Sequence, residues 1–123
     1  MITTPILVLV RDLLFASRIT ATARAEGVEI RLLRDPAALA GEAAGRRLIV
    51  DLNQPGALDA AAAWRTAAGG GAAERAAAGR EVVGFVSHVD AATIAAARRA
   101  GIDHVLARSA FVEKLPQLLR SSH

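Results

Sequence analysis

The sequence predicts a single α/β domain in which five parallel strands form a sheet with helices on both faces. Short apolar runs alternate five times along the 123 residues with longer segments, many of them rich in alanine. Such runs are typical of strands that are buried on both faces, and strands alternating with helices pair in parallel through right-handed crossovers. A flavodoxin-like three-layer sandwich with strand order 2-1-3-4-5 fits five such strands. One domain is therefore expected over residues 1–123.

Each predicted element follows from its apolar pattern and its flanking residues. The strands are predicted at 6–10, 28–33, 47–52, 81–86 and 104–106. The helices are predicted at 12–26, in a short segment opened by Asp35-Pro36, and at 58–68, 90–100 and 111–120. Aspartate at a helix start and glycine at its end are typical caps, and Asp12, Asp90, Gly27 and Gly101 occupy such positions.

Three local features complete the pattern. The first helix is predicted because small and apolar residues are spaced along one of its sides: Leu13, Leu14, Ser17, Ala21 and Ala25. Trp64 is interpreted as a packing residue of the third helix. Three glycines at 69–71 are interpreted as a flexible helix break, because a phosphate-binding loop would need a preceding strand and a following Lys-Ser or Lys-Thr pair.

Composition excludes several classes of function. The chain has no cysteine, which excludes disulfides, thiolate catalysis and cysteine-ligated metal centres. No apolar run approaches the roughly 18 residues of a membrane span, and no signal peptide is recognisable. The net charge of +3 comes mostly from scattered arginines among acids, with only 3% aromatic residues, so nucleic-acid binding is not expected. A bacterial cytoplasmic location without membrane association is the expectation.

Polar residues follow four of the five predicted strands. Because ligands of doubly wound sheets bind at the carboxyl ends of the strands, these residues are expected to converge on one rim. The set comprises Arg11 and Asp12, Asp51 to Gln54, Ser87 and His88, and Arg108 and Ser109.

The order of these motifs resembles the receiver domain of two-component response regulators, the CheY-like domains, over essentially the whole chain. In that family the third strand ends in a phospho-accepting aspartate followed by a loop with proline and glycine, as 48–56 does with Asp51. The fourth strand ends in serine or threonine, as in 82–88. In the family, an Ala-Gly pair, the fifth strand and a Lys-Pro pair follow one another before the last helix, and the segment 100–109 occupies that place. Leu115 falls where the family has a leucine in the last helix.

The resemblance assigns roles to the rim residues and also exposes departures. Asp51 takes the phospho-acceptor position and Ser87 the switch position. The family's acidic pair falls at Arg11 and Asp12, so one of its two acids is replaced by arginine. The family's lysine is replaced by Arg108, its proline by Ser109, its small residue by His88 and its aromatic residue by Val105. Mg²⁺ prefers oxygen ligands, so Arg11 removes part of the metal site and leaves Asp12 and Asp51 as the remaining candidate ligands.

These departures predict a pseudo-receiver, a stand-alone signalling module that is not an enzyme and needs no cofactor. It would act by protein–protein interaction, through the face of the fourth helix, fifth strand and fifth helix, on a partner protein or a second copy. Arg98, Arg99 and Arg108 near that face would suit an acidic partner. Asp51 would be ion-paired with Arg108 or Arg11, which would lower its pKa.

The sequence also fits two alternative functions. The chain could be a working receiver, phosphorylated at Asp51 with Mg²⁺ held through Asp12. It could instead be a small-molecule or anion sensor that uses Arg11 and Arg108 at the carboxyl edge of the sheet.

Hydrolytic catalysis by Ser87 and His88 is not expected, because adjacent residues at a strand end point to opposite faces. The histidines, His88, His104 and His123, are too scattered in sequence to predict a metal site.

Overall fold

Five parallel strands form one sheet in the order β2-β1-β3-β4-β5, as the sequence predicts. The structure is a computed structural model that describes residues 5–42, 45–66, 80–86 and 90–120. The strands are β1 Ile6–Leu9, β2 Ile30–Leu33, β3 Arg47–Asp51, β4 Glu81–Val86 and β5 His104–Ala107. The glycines at 69–71, Ser87, His88 and His123 lie outside the described residues.

Within the described residues, four α-helices and one short 3₁₀ helix flank the strands. The α-helices are α1 Leu13–Glu26, α2 Ala57–Thr66, α3 Ala91–Arg99 and α4 Arg108–Arg120, and the 3₁₀ helix is Pro36–Gly41. The fourth and fifth predicted helices are thus α3 and α4, because the second predicted helix is the 3₁₀ turn. No helix within the described ranges is long and apolar enough to cross a membrane.

The predicted caps are confirmed. The side chains of Asp12 and Asp90 each accept hydrogen bonds from two backbone N–H groups of the turn that follows, at the starts of α1 and α3. Gly27 ends α1 with φ of 71°, a left-handed conformation that a residue with a Cβ adopts only with strain.

The sheet is packed on both faces. On one face, α1 and α4 bury Phe15, Ile19 and Phe111 against Val8 and Phe85. The opposite face is covered by α2, α3 and the 3₁₀ helix, whose buried side chains include Trp64, Ala97 and Leu39. The packing role predicted for Trp64 is confirmed, and its indole N–H donates to the carbonyl of Glu42 at 2.9 Å.

The structure corrects the sequence pattern of α1. The residues that the spacing groups along one side are all exposed, including Leu13 and Leu14. The buried residues are instead Phe15, Ala16, Ile19 and Ala23. Residues four apart form a series on each side of the helix, so spacing alone does not decide which side is buried. The outer side also carries Arg18, whose charge would lose its hydration on burial. The larger side chains of Phe15 and Ile19 therefore face the sheet.

The last helix begins three residues earlier than predicted. Arg108 and Ser109 form its first turn and do not belong to a loop after β5. A residue that precedes proline is disfavoured in a helix, but Arg108 precedes Ser109 and is free of that restriction. The helical start places the Arg108 side chain at the carboxyl edge of the sheet.

Candidate functional site at the carboxyl end of the sheet

Three charged side chains predicted for the rim come together in the structure. Asp12 follows β1, Asp51 ends β3 and Arg108 follows β5. A guanidinium nitrogen of Arg108 (Nη2) lies 3.4 Å from Asp12 Oδ2. Asp51 lies close enough that the charges of both other residues act on its pKa. The described part of the rim is therefore one coupled cluster of two carboxylates and one cation.

Asp12 both caps the first turn of α1 and pairs with Arg108. Its Oδ1 atom accepts hydrogen bonds from the backbone N–H groups of Leu14, at 3.0 Å, and Phe15, at 3.3 Å. Its other oxygen pairs with Arg108. The hydrogen bond from Phe15, with smaller contributions from Arg108 and Leu14, lowers the pKa of Asp12 in spite of partial desolvation. These hydrogen bonds thus favour the carboxylate form of Asp12.

Asp51 is in a different environment, although it lies beside the same cation. Burial raises its pKa and outweighs the opposing effects of the Asn53 N–H, 3.0 Å from Oδ1, and of Arg108. The negative charge of Asp12 raises the pKa further. The predicted net lowering of the Asp51 pKa by an ion pair with arginine is therefore wrong, and Arg108 pairs with Asp12 instead. Arg108 does act in that direction, but desolvation of the half-buried carboxylate is the larger effect.

Arg108 is positioned by an aromatic ring as well as by Asp12. Its guanidinium carbon lies 4.0 Å from the centre of the Phe15 ring, within the range of a cation–π interaction. Phe15 in turn packs against Phe85 and Phe111, with ring centres 5.0 Å and 5.8 Å away. The whole phenylalanine content of the chain thus forms one cluster beneath the site.

The contact of Phe15 with the site is not predicted from the strand ends, although the spacing of the phenylalanines indicates it. Phe15 follows Asp12 by three residues, and Phe111 follows Arg108 by three. Residues three apart on a helix are neighbours on its surface. Phe85 lies opposite Asp51 in the β3–β4 register. Each phenylalanine is therefore adjacent in the fold to one of the three charged residues.

The other predicted rim residues are less closely involved where they are described. Arg11 is exposed, and the cation that acts on the pKa of Asp51 is Arg108. Ser109 is exposed in the first turn of α4, and Val105 is partly buried in β5. The structure describes neither Ser87 nor His88. Of the predicted set, Asp12, Asp51 and Arg108 are thus brought together.

The carboxylate oxygens of this cluster are poorly suited to binding a magnesium ion. One oxygen of Asp12 accepts two backbone hydrogen bonds, and the other is paired with Arg108. Mg²⁺ needs near-octahedral oxygen coordination, and a guanidinium beside the carboxylates opposes a second cation. Over the described ranges, no group of three or more His, Asp or Glu side chains is arranged to hold a metal.

Comparison with known proteins gives similarity in structure only. No family model matches the chain, and no curated protein matches it in sequence. A response regulator from Hahella chejuensis superposes with a TM-score of 0.78 at 15% identity, over 96% of this chain and 93% of that one. The chemotaxis response regulator CheY4 of Vibrio cholerae gives a TM-score of 0.75 at 15% identity, covering 97% of this chain and 98% of the regulator.

A third similar structure is a response regulator from Burkholderia pseudomallei with a phosphorylated aspartic acid, a calcium ion and citrate. Its TM-score is 0.71 at 20% identity, over 97% of this chain and 68% of that protein. All three matches cover nearly the whole of the present chain. Together with the strand order β2-β1-β3-β4-β5, they show that the chain has the fold of a response regulator receiver (CheY-like) domain.

Proposed function

We propose that this chain is a pseudo-receiver, a signalling module that acts by binding another protein and does not use magnesium-dependent phosphorylation as its switch. The observation that carries this proposal is the pairing of Arg108 with Asp12 at 3.4 Å. The positive charge beside Asp12 and Asp51 thus comes from a side chain of the protein, Arg108. The proposal gives no catalytic role to the site.

The chemistry of phosphoryl transfer supports this interpretation. Transfer to a carboxylate depends on positioning and on neutralising the charge of the phosphoryl group, and a metal ion usually supplies much of that neutralisation. Here Arg108 is held between Asp12 and the Phe15 ring. Arg11 adds a second positive charge where the family carries an acid. Within the described cluster, Asp12 is the acid that neighbours Asp51 and could share a metal ion with it.

The partner face predicted from the sequence remains part of the proposal. The face of α3, β5 and α4 exposes Ala91, Ala95, Arg98 and Arg99, and it contains the partly buried Val105. Two arginines at the end of a helix would attract an acidic partner, and small residues allow close approach. A second copy of the chain could use the same face.

The test is a titration of the protein with Mg²⁺ and beryllofluoride, an aspartyl-phosphate mimic, followed by amide NMR. The reporters are the N–H groups of Asn53 and Leu14, which donate to Asp51 and Asp12. We expect no saturable shift of either signal up to millimolar reagent. The Burkholderia pseudomallei response regulator, whose structure contains a phosphorylated aspartic acid, serves as the positive control for the reagent.

The matched variant is Asp51→Asn, which keeps the side-chain shape and removes the carboxylate. The proposal is contradicted if the unmodified protein shows saturable shifts that spread to α3 and that disappear in Asp51→Asn. That result would identify a working receiver. Shifts caused by beryllofluoride that persist in Asp51→Asn and disappear in Arg108→Ala would instead indicate an anion sensor.

A further inference from the structure

Strand β2 lies at one edge of the described sheet and carries an exposed leucine. It pairs with β1 on one side, and the strand order places no described strand on its other side. Leu32 in this strand is 46% exposed, whereas Ile30 packs partly against the core on the α1 side of the sheet. The open edge of a strand presents backbone groups that can pair with another chain. β2 is therefore a candidate surface for strand pairing.

The backbone groups of β2 that point outward are those of Ile30 and Leu32. On the inner side, the N–H of Ile6 donates to the carbonyl of Glu29 at 3.1 Å. Successive residues of a strand direct their backbone groups to alternate sides, so the odd-numbered residues face β1 and the even-numbered residues face away from it. The outer edge therefore offers two residues that can both donate and accept hydrogen bonds.

The side chains of residues 28–32 are divided between the two faces of the sheet. Val28 and Ile30 pack partly against the core on the α1 side. Successive side chains of a strand alternate between faces, so Leu32 lies on the α1 side as well, and Glu29 and Arg31 lie on the opposite side. Both charged residues are exposed. The edge thus has an apolar row on one face and an acid and a base on the other.

We propose that β2 pairs with β2 of a second copy of this chain, in antiparallel orientation, with Ile30 opposite Ile30 of the second copy. This register places Val28 opposite Leu32, and Glu29 opposite Arg31, of the other copy. Each of these pairs occurs twice, because the arrangement has twofold symmetry. The exposed leucine would be covered by a valine, each acid would face a base, and the two sheets would join into one continuous sheet.

The backbone pattern and the charges together select this register. Opposite residues exchange both backbone hydrogen bonds only when both direct these groups outward, as Ile30 does. Leu32 can likewise donate to the carbonyl of Val28 of the second copy, whose N–H already donates within its own chain at 2.8 Å. A register centred on Glu29 or on Arg31 would keep the backbone pattern but place like charges opposite each other, which is destabilising.

Arg31 can make this contact without losing its present ion pair. Its Nε atom lies 3.3 Å from Glu42 Oε1, and its side chain is 61% exposed. A guanidinium group has five N–H donors, so a second carboxylate can bind its remaining edge. Glu29 of the second copy would therefore meet a cation that Glu42 already positions.

The proposal goes beyond the pseudo-receiver function, because β2 and β5 lie at opposite edges of the sheet. Pairing through β2 leaves the face of α3, β5 and α4 open for a partner protein, so each dimer would present that face twice. The paired segment is short, which is typical of small and transient interfaces. We therefore expect a reversible dimer that depends on concentration.

The test is sedimentation velocity of the full chain over a concentration series from about 10 µM to about 1 mM, in which the unmodified protein should pass from monomer to dimer. Glu29→Arg and Arg31→Glu each place like charges opposite one another at both contacts, and each should weaken the dimer about tenfold. An equimolar mixture of the two variants restores opposite charges at both contacts and should associate as the unmodified chain does.

Two controls accompany the charge reversals. Arg99→Glu on α3 reverses a charge away from β2 and should leave the association unchanged. Arg31→Glu also removes the pair with Glu42. Urea unfolding followed by Trp64 fluorescence therefore checks that each variant is folded before its association is compared.

Single cysteines locate the contact directly, because the chain contains no cysteine of its own. Ile30→Cys should give a disulfide-linked dimer under mild oxidation, since opposite residues of paired strands have Cα atoms about 5.5 Å apart. Ala95→Cys, at an exposed position of α3, should remain unlinked.

Four results would overturn the proposal. They are a chain that stays monomeric at about 1 mM, a dimer that neither charge reversal weakens, variants that stay apart when mixed, and linkage through Ala95→Cys but not through Ile30→Cys. The rim cluster of Asp12, Asp51 and Arg108 takes no part in this pairing. A saturable response to beryllofluoride would contradict the pseudo-receiver function and leave these results unchanged, so the two failures are distinguishable.

Discussion

The two ends of the sheet use arginine in opposite ways. At the amino end, Arg47 is buried, pairs with Glu81 at 2.9 Å and donates to the carbonyl of Leu118 at 2.7 Å. Arg80 is also buried, donates to the carbonyls of Gly45 and Trp64, and packs on the Trp64 ring at 4.5 Å. Arg47 thus links β3 to α4 through a backbone carbonyl and to β4 through the Glu81 carboxylate, and Arg80 links the start of β4 to α2.

At the carboxyl end, Arg108 is more exposed and is held by a longer ion pair and one aromatic ring. Beside it, a half-buried Asp51 keeps a raised pKa because burial outweighs the attraction of the cation. At the amino end, the buried arginines hold neighbouring elements together through hydrogen bonds. At the carboxyl end, burial instead disfavours the charged form of Asp51. Groups with perturbed pKa values at such an edge are typical of functional sites.

The largest expected effect belongs to the amino end. Arg80→Ala should reduce the free energy of unfolding by about 3 kcal/mol, because it leaves the buried carbonyls of Gly45 and Trp64 without a donor. Urea unfolding followed by Trp64 fluorescence measures the loss. Arg46→Ala, at an exposed neighbouring position, should change the free energy by less than about 0.5 kcal/mol. Equal losses for the two variants would remove the basis of the comparison.

A smaller loss of stability is expected from Arg108→Ala at the carboxyl end. It should lower the free energy of unfolding by about 1 kcal/mol, mainly through loss of the contact with Phe15. The same change should raise the pKa of Asp51 further, because Arg108 acts to lower it. Carbon-detected NMR titration of the Asp51 carboxyl measures that pKa. Phe15→Leu should produce a shift in the same direction, and an unchanged pKa in both variants would show that the guanidinium is not positioned over the site.

The smallest expected effect distinguishes the two carboxylates. The unfolded Asp51 carboxyl ionises near pH 3.8 and the folded one at higher pH, so the folded state loses stability as pH rises through that interval. Asp51→Asn should therefore stabilise the protein modestly at neutral pH, with no gain well below pH 3.8.

Asp12→Asn should show the opposite sign. The pKa of Asp12 is lowered, so its ionised form adds stability above pH 3.8, and this stability is lost as pH falls through the folded value. The variant should be destabilised at neutral pH, with the difference closing in acid. Urea unfolding at several pH values measures both carboxylates, and the same sign for both would contradict the account of the site.

Much of the fold follows from the sequence, because apolar runs and caps act locally. Asp12, Asp90 and Gly27 mark helix ends by interactions with their own neighbouring backbone, so their positions are readable in advance. The buried side of α1 was less predictable, since the series through Leu14 and the series through Phe15 have the same period. The choice between them depends on what the sheet and α4 present to the helix.

The residues of the site could be predicted from the strand ends, but their interactions could not. The spacing of the strands indicates that Asp12, Asp51 and Arg108 converge. Which acid the arginine binds depends on the helical start at Arg108 and on the ring of Phe15 beneath it. The direction of the Asp51 pKa depends on burial, which a sequence pattern does not measure.

The central claim is that Arg108 supplies the positive charge beside Asp12 and Asp51. Its most direct test is a titration with Mn²⁺, a paramagnetic substitute for Mg²⁺, in which the broadening of the Asn53 and Leu14 amide signals is measured. The matched variant carries Arg11→Asp and Arg108→Lys, which introduces an acid at position 11 and removes the guanidinium fork. If Arg108 takes the place of the metal, the unmodified protein should show no selective broadening up to millimolar Mn²⁺, and the variant should gain it. Selective broadening of both signals in the unmodified protein at submillimolar Mn²⁺ would contradict the account.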